Sequence, residues 1–276
     1  MKKTVCLFTA LMVMVFATAC GQLETRMAIR EGNDAYEQQN YKVAIEKYQE
    51  ARKIAPNSFP ELDRMIGYSY IGLYNPEDKS AQNQKFADSA ILELQKYLQR
   101  VPENESAREA MVNLMLNADR TSQAIAYFKE YLKTHPADLA TVRTIANLYA
   151  QKLGDFDESL NWYHKITLLD PNNAEAFYTF GVVVWEKVHR DPPADPQAAL
   201  QLIERGKDAL ERAIQLREDY FDALVYLNLL LREQVKLTPD PEEQQVLLAR
   251  ADQYRNRAVA ITKAKKAAEA KGGEKP

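Results

Sequence analysis

The stretch Ala44-Ile45-Glu46-Lys47-Tyr48-Gln49-Glu50-Ala51-Arg52-Lys53-Ile54-Ala55-Pro56 decides the fold. Ala44, Tyr48 and Ala51 fall at i, i+4 and i+7, which puts them in one stripe on one helix face. The stripe reads small, aromatic, small. The helix stops at Pro56, since proline offers no amide donor and its ring clashes with the preceding turn.

The same device returns down the chain. Corresponding stripes are Ala90/Leu94/Tyr97, Ala124/Phe128/Tyr131, Ser159/Tyr163/Ile166 and Gly206/Leu210/Ala213. The closing residues are Pro56, Pro102, Pro136 and Pro171, with Glu218 in the fifth place. Before each of these helices, here called helix B, lies a helix A marked in turn by Gly32, Gly67, Val112, Ala146 and Gly181. In the first and third units the marker precedes the helix-B alanine by 12 positions. Small residues let two helices approach closely, and a large neighbour fills the space beside them. A sixth unit has Leu224, Leu227 and Leu231 on one helix and Ala251 and Ala258 on the next. Ala44 and Ala124 are expected at tight helix contacts, and Ala209, one residue off the stripe, in a looser place. Long runs of Ala, Leu, Glu, Lys and Gln favour helix, and sustained Val/Ile/Thr alternation is absent.

This helix–turn–helix unit resembles the tetratricopeptide repeat (TPR), most closely at Gly154-Asp155-Phe156-Asp157-Glu158-Ser159 and Ala209-Leu210-Glu211-Arg212-Ala213-Ile214. The resemblance covers residues 25–262. It implies an all-α fold, an α-solenoid of about six repeats wound as a right-handed superhelix, in which each pair buries its apolar face on its neighbours. Tyr97, Tyr131 and Ile166 stand where that family often has Ala. Extra residues are expected as loops between the paired helices at 74–84, 189–199 and 236–245, where Asn75-Pro76, Pro192, Pro193, Pro196, Pro239 and Pro241 punctuate the sequence. The last helix is expected from about 242 to 270. Residues 263–276 read as a basic helical extension running into a disordered tail from Lys271.

The first twenty residues are of another kind. Lys2 and Lys3 precede an uncharged, mostly apolar run from Val5 to Ala19, too short for a comfortable span of about 20 residues. Residues 1–19 therefore read as a secretory signal. Ala17-Thr18-Ala19-Cys20-Gly21 resembles the lipobox of bacterial lipoproteins, which implies that Cys20 is lipidated and becomes the mature N-terminus. With Gly21 in place of Asp, the sorting rule of that family implies the outer membrane, facing the periplasm. Residues 20–24 would be the lipidated N-terminus and a short linker. Cys6 would leave with the signal, so the mature domain would have no thiol to pair and would rely on packing.

The chain carries 36 basic and 39 acidic side chains. Loss of Lys2 and Lys3 would move the formal charge from −3 to −5. Mixed, mildly acidic helices argue against nucleic acid as a partner, because phosphate binding needs a basic face. His135, His164 and His189 have no second ligand at metal spacing, and GxSxG, P-loop, GxGxxG and HExxH motifs are absent. The sequence thus offers no catalytic site and calls for no metal or cofactor. Asn104-Glu105-Ser106 fits a glycosylation sequon by chance.

In the resembled family the A helices line the concave surface and bind partners. Registering that face on the helix-A markers gives Asn33, Tyr36, Arg64 and Tyr68 in the first two repeats. Asn113 and Asn117 follow in the third, Arg143 and Asn147 in the fourth, and Tyr178 and Trp185 in the fifth. Asn pairs with a peptide backbone, Arg grips a carboxylate with two hydrogen bonds, and Tyr and Trp add apolar area with a polar tip. Arg143 and Asn147 resemble part of the carboxylate clamp of chaperone-binding repeats, although the next repeat offers Glu175 and Thr179 rather than basic residues. The expected partner is a protein or peptide, with Arg143, Asn147, Tyr178 and Trp185 at the centre of its site. Two other readings stay open here: a regulatory subunit of a cell-wall enzyme, and a spacer that self-associates.

Overall fold

The structure, a computed structural model, describes residues 21–56 and 58–272. The signal segment 1–19, Cys20 and the tail 273–276 lie outside the described residues. Every regular element among the described residues is helical. Helices α1 (residues 21–37) and α2 (Tyr41–Ile54) form the first pair. Helices α3 (Glu61–Leu73) and α4 (Ala81–Arg100) form the second, and α5 (Glu105–Asn117) and α6 (Thr121–Thr134) the third. The fourth joins α7 (Leu139–Leu148), which runs on into a π-helical turn at Tyr149–Leu153, to α8 (Phe156–Leu169). Helices α9 (Ala174–Arg190) and α10 (Pro196–Leu216) make the fifth, α11 (Phe221–Leu237) and α12 (Pro241–Gly272) the sixth. These are the six pairs the sequence leads one to expect.

The chain divides into two compact units between Ala124 and Ile125. In the first, α2 packs on α3, α3 on α4 and α4 on α5. In the second, each helix from α7 to α12 packs on its successor, and α9 also meets α11. Neighbour-only packing of this kind is how repeat arrays build a core. The pattern that signals it is also what closes each pair. A Cβ at Gly32 would lie 2.5 Å from the Tyr48 ring, one at Gly67 would lie 2.8 Å from Leu94, and Gly181 backs directly onto Leu210. Ala44 and Ala124 are fully buried. Ala209 is buried too, at 7% exposure, so its expected freedom is not found.

Three regular turns between the paired helices share one backbone device. Gln39, Asp119 and Gly154 adopt φ of 58°, 59° and 64°, each five residues before the first stripe residue of the following helix. The left-handed residue lets the chain reverse and satisfies the last carbonyls, with Asn40 N–H donating to Ala35 O at 2.8 Å and Arg120 N–H to Met115 O at 2.7 Å. In the fourth pair the marker Ala146 lies 13 residues before Ser159, one more than in the first and third. The π-turn Tyr149–Leu153 takes up that extra residue, so Ser159 still meets helix A, donating to Ala146 O at 3.2 Å.

Of the expected loops, 74–84 is non-helical over 74–80, whereas 189–199 and 236–245 are mostly helix. The connections are only residues 74–80, 191–195 and 238–240. Pro196 opens α10 behind Asp195, whose side chain accepts from Gln197 N, and Pro241 opens α12 behind Asp240, which accepts from Glu242 N. Asp-Pro here is an N-cap and a first helical residue, positions that favour those types. The extra residues lengthen helix B, to 20 residues in α4 and 21 in α10 against 14 in α2 and α8. The 74–80 connection is fixed by buried Asn83, which donates to Asn75 O and Asp78 O at 2.6 Å each. The expected linker before the first repeat is helical from Gly21, with Thr25 Oγ1 donating to Gly21 O at 2.7 Å. Helix α12 likewise continues through Lys271 to Gly272.

Candidate functional site

In the second unit, α7 is started by Asp138, which accepts from Ala140 N at 3.0 Å and Thr141 N at 3.3 Å. Its buried residues Val142, Ile145 and Ala146 turn Arg143 and Asn147 outward, one helical turn apart. Across from them, α9 is started by Asn173 and buries Ala176, Phe180 and Gly181, which brings Glu175 and Thr179 to the facing side. Arg143, Asn147, Tyr163, Ile166, Glu175, Ala176 and Thr179 line one pocket of ≈ 170 Å³.

The chemistry of this pocket is that of a donor site. The Tyr163 hydroxyl donates to Asn147 Oδ1. That contact takes the acceptor of the amide and leaves its Nδ2 without a partner among the described residues. Arg143 is exposed and forms no ion pair among the described residues. Burial raises the Tyr163 phenol, with the nearby guanidinium acting in the opposite sense. Thr179 Oγ1 donates to Glu175 O at 2.8 Å. Glu175 itself is engaged by the Tyr220 hydroxyl, and burial, then that bond, raises the Tyr220 phenol.

Tyr178 and Trp185 face α11 instead of α7. The Tyr178 ring lies 4.9 Å from Tyr220 and 5.8 Å from Tyr226, and Trp185 lies 5.4 Å from Tyr226 in an edge-on contact. His189 stacks on Trp185 at 4.8 Å. Burial first, then Tyr226, Asp222 and Glu175, push the Tyr178 phenol up to about 12. The four residues expected at the centre therefore form two neighbouring pairs, a polar one against α7 and an aromatic one against α11.

In the first unit, Asn33 Oδ1 accepts the Tyr48 hydroxyl at 2.9 Å, just as Asn147 holds Tyr163. Tyr36 is 37% exposed and packs edge-on against Tyr41 at 5.3 Å. Arg64 is not free: Glu61 holds its Nε at 2.6 Å, and the guanidinium lies 5.8 Å from the Tyr68 and Tyr97 rings. Asn113 and Asn117 are exposed on α5. Asn104 is an N-cap whose Nδ2 donates to the Tyr97 hydroxyl at 2.9 Å. Trp162, half-buried, donates to Glu158 at 3.3 Å and has Lys129 and Lys165 5.5 and 5.2 Å from its ring.

Tyr163, Tyr220 and Tyr226 were absent from the expected site. Tyr226 lies off the buried stripe Ala223, Leu224, Leu227, Leu230 and Leu231, which is the signal that it faces outward. The sixth repeat lacks a small marker residue, so that face had no register in the sequence. No group of three or more His, Cys, Asp or Glu is placed to hold a metal among the described residues. No helix among them is long and apolar enough to cross a membrane.

Six consecutive helix pairs, three of them closed by a helix-A glycine on the central stripe residue of helix B, settle the architecture. The fold is a tetratricopeptide-repeat array. No protein-family model matches the chain. A stretch of 140 residues, 51% of the chain, is 26% identical to the protein CTR9 homolog of Arabidopsis thaliana, and the match spans 12% of that protein's length. Among solved structures, YrrB, described as a TPR protein with an unusual peptide-binding site, is 19% identical over 71% of this chain and 88% of its own, with a TM-score of 0.37. A TPR repeats protein of Bacteroides fragilis is 19% identical over 83% of this chain and 98% of its own, at 0.46. The C-terminal part of a TPR repeat-containing protein of Cytophaga hutchinsonii is 14% identical over 84% of this chain and 78% of its own, at 0.47. The TPR assignment of this chain rests on its own helix pairs and contacts.

Proposed function

We propose that the chain is a protein-interaction scaffold of the cell envelope, tethered through lipid on Cys20, whose α7–α9–α11 face takes an extended peptide. One observation carries the peptide reading: the Tyr163 hydroxyl occupies the acceptor of Asn147, so the pocket presents the Asn147 amide donors beside the unpaired Arg143 guanidinium. Two donor groups one turn apart suit a carboxylate, here the C-terminus of the peptide. The Tyr178, Trp185 and Tyr226 rings next to it supply apolar area for the neighbouring residue. The envelope tether is supported by Lys2 and Lys3, the uncharged run to Ala19, and the small residues before Cys20.

The test uses fluorescence anisotropy with a panel of labelled peptides, each made with a free and an amidated C-terminus. The free acids bind more tightly by about tenfold, the scale of a charge-assisted hydrogen bond, and Arg143→Ala erases the difference. Equal binding of acid and amide across the panel, or a preference that survives in Arg143→Ala, would remove the carboxylate from the account. Fractionation of Cys20→Ala tests the tether separately: the variant is expected in the soluble fraction at high salt, and full retention on membranes under those conditions contradicts it.

A further inference from the structure

Charge is unevenly distributed along the chain. Of its 36 basic and 39 acidic side chains, seven basic and only two acidic fall in residues 255–276, which leaves −8 on residues 1–254. Most of that basic segment is the distal part of α12. The helix is held to the body through Leu247, Ala251 and Ala258, and Leu247 and Ala251 cluster with Leu231. Past Thr262 the packing stops. Lys263, Lys265 and Lys266 are exposed, and none of the three forms an ion pair among the described residues.

We propose that this distal part of α12 is an electrostatic contact with an anionic bilayer, additional to the lipid on Cys20; the choice of a bilayer rests on the envelope reading above. The arrangement of the lysines favours a flat, diffuse charge over a shaped protein groove. At 100° per residue, Lys263, Lys265 and Lys266 fall within an arc of about 160°, so they make one broad basic side rather than a narrow stripe. Only alanine separates them, so no bulky side chain is present to fill a pocket. Long lysine stems on that side reach headgroups from a helix lying at the surface, without insertion. The contact is therefore sensitive to salt.

The experiment measures co-sedimentation of the full chain with phosphatidylcholine vesicles, with and without about 30% phosphatidylglycerol, at low and at molar salt. The chain is expected to prefer the anionic vesicles at low salt only. The triple substitution Lys263→Gln, Lys265→Gln, Lys266→Gln is expected to lose that preference, by about fivefold per lysine and on the order of a hundredfold together. Glutamine matches lysine in helix propensity, and far-UV circular dichroism verifies that α12 stays folded. Equal partition of the wild type onto both vesicle types, or an undiminished preference in the triple variant, overturns the proposal. Cys20→Ala separates this from the tether. It changes binding to both vesicle types alike, so failure of the tether alone would leave the anionic-to-neutral ratio intact.

Discussion

Gln39 and Asp119 hold a backbone conformation that suits glycine, and Gly154 shows the natural solution at the same place. The left-handed region costs a residue with a Cβ roughly 1–2 kcal/mol, less for Asp and Asn. Gln39→Gly is therefore expected to raise stability by about 1 kcal/mol, and Asp119→Gly by less, in urea unfolding. Gly154→Ala should lower it by about 1 kcal/mol through backbone strain alone, since nothing lies within 4 Å of an added Cβ. A rise in stability for Gly154→Ala would contradict this account of the turn. At this scale the sequence is informative about Gly32, Ala44 and Tyr48: Ala44 and Tyr48 share one face of α2, and the small residue of the preceding helix stands 12 positions before Ala44. It is silent about the use of Asn33 and Asn147. Each accepts a tyrosine hydroxyl from the next helix, 15 or 16 residues on, and no local pattern distinguishes such an asparagine from a solvated one. The pairing of Arg52 with buried Asp63 and Glu93 on two other helices, at 3.0 and 2.6 Å, is hidden for the same reason.

Between elements, register is conserved even where the residue count is not. The π-turn Tyr149–Leu153 absorbs one residue without moving the α8 stripe. Deleting exposed Gln151 is accordingly expected to turn this segment into ordinary α-helix and restore the 12-residue spacing, with unfolding shifted by no more than about 1 kcal/mol. Deleting exposed Asn117 from α5 shortens a spacing that is already 12, rotates the stripe away from its contacts and should unfold the pair. Equal damage from the two deletions, read by circular dichroism and urea midpoint, would mean the π-turn is not a register device. The six helix pairs were legible because the apolar stripe has the helical period. Their ends were less so: Pro196 and Pro241 read as loop punctuation, yet each opens a helix behind a capping aspartate. Proline has both roles, and only the fold selects between them.

For the molecule as a whole, tyrosines at helix contacts set a limit at high pH. Burial is the first cause that pushes Tyr48 in the first unit and Tyr178 in the second up to about 12. A phenol whose folded pKa is raised contributes stability that is fully present below its unfolded value near 10 and is lost as pH rises through the folded value. The chain should thus weaken between about pH 10 and 12, and at pH 11 the native protein should show less phenolate absorbance than the same protein in urea. Superimposable titrations in the two states would contradict the burial of these rings. The candidate site was legible in part: the A-helix face could be registered in five repeats from their markers, but Tyr226 and Tyr220 come from a repeat and a turn without one. The central claim, that this face of the second unit binds a partner, is tested most directly by site-specific photo-crosslinking in cells. One probe replaces Thr179 on α9, and a control probe replaces Leu168 on α8, which is 68% exposed. The account predicts a discrete protein adduct from position 179 that disappears with Arg143→Ala, and none from position 168. An adduct from 168 alone, or one from 179 that is indifferent to Arg143→Ala, would contradict it.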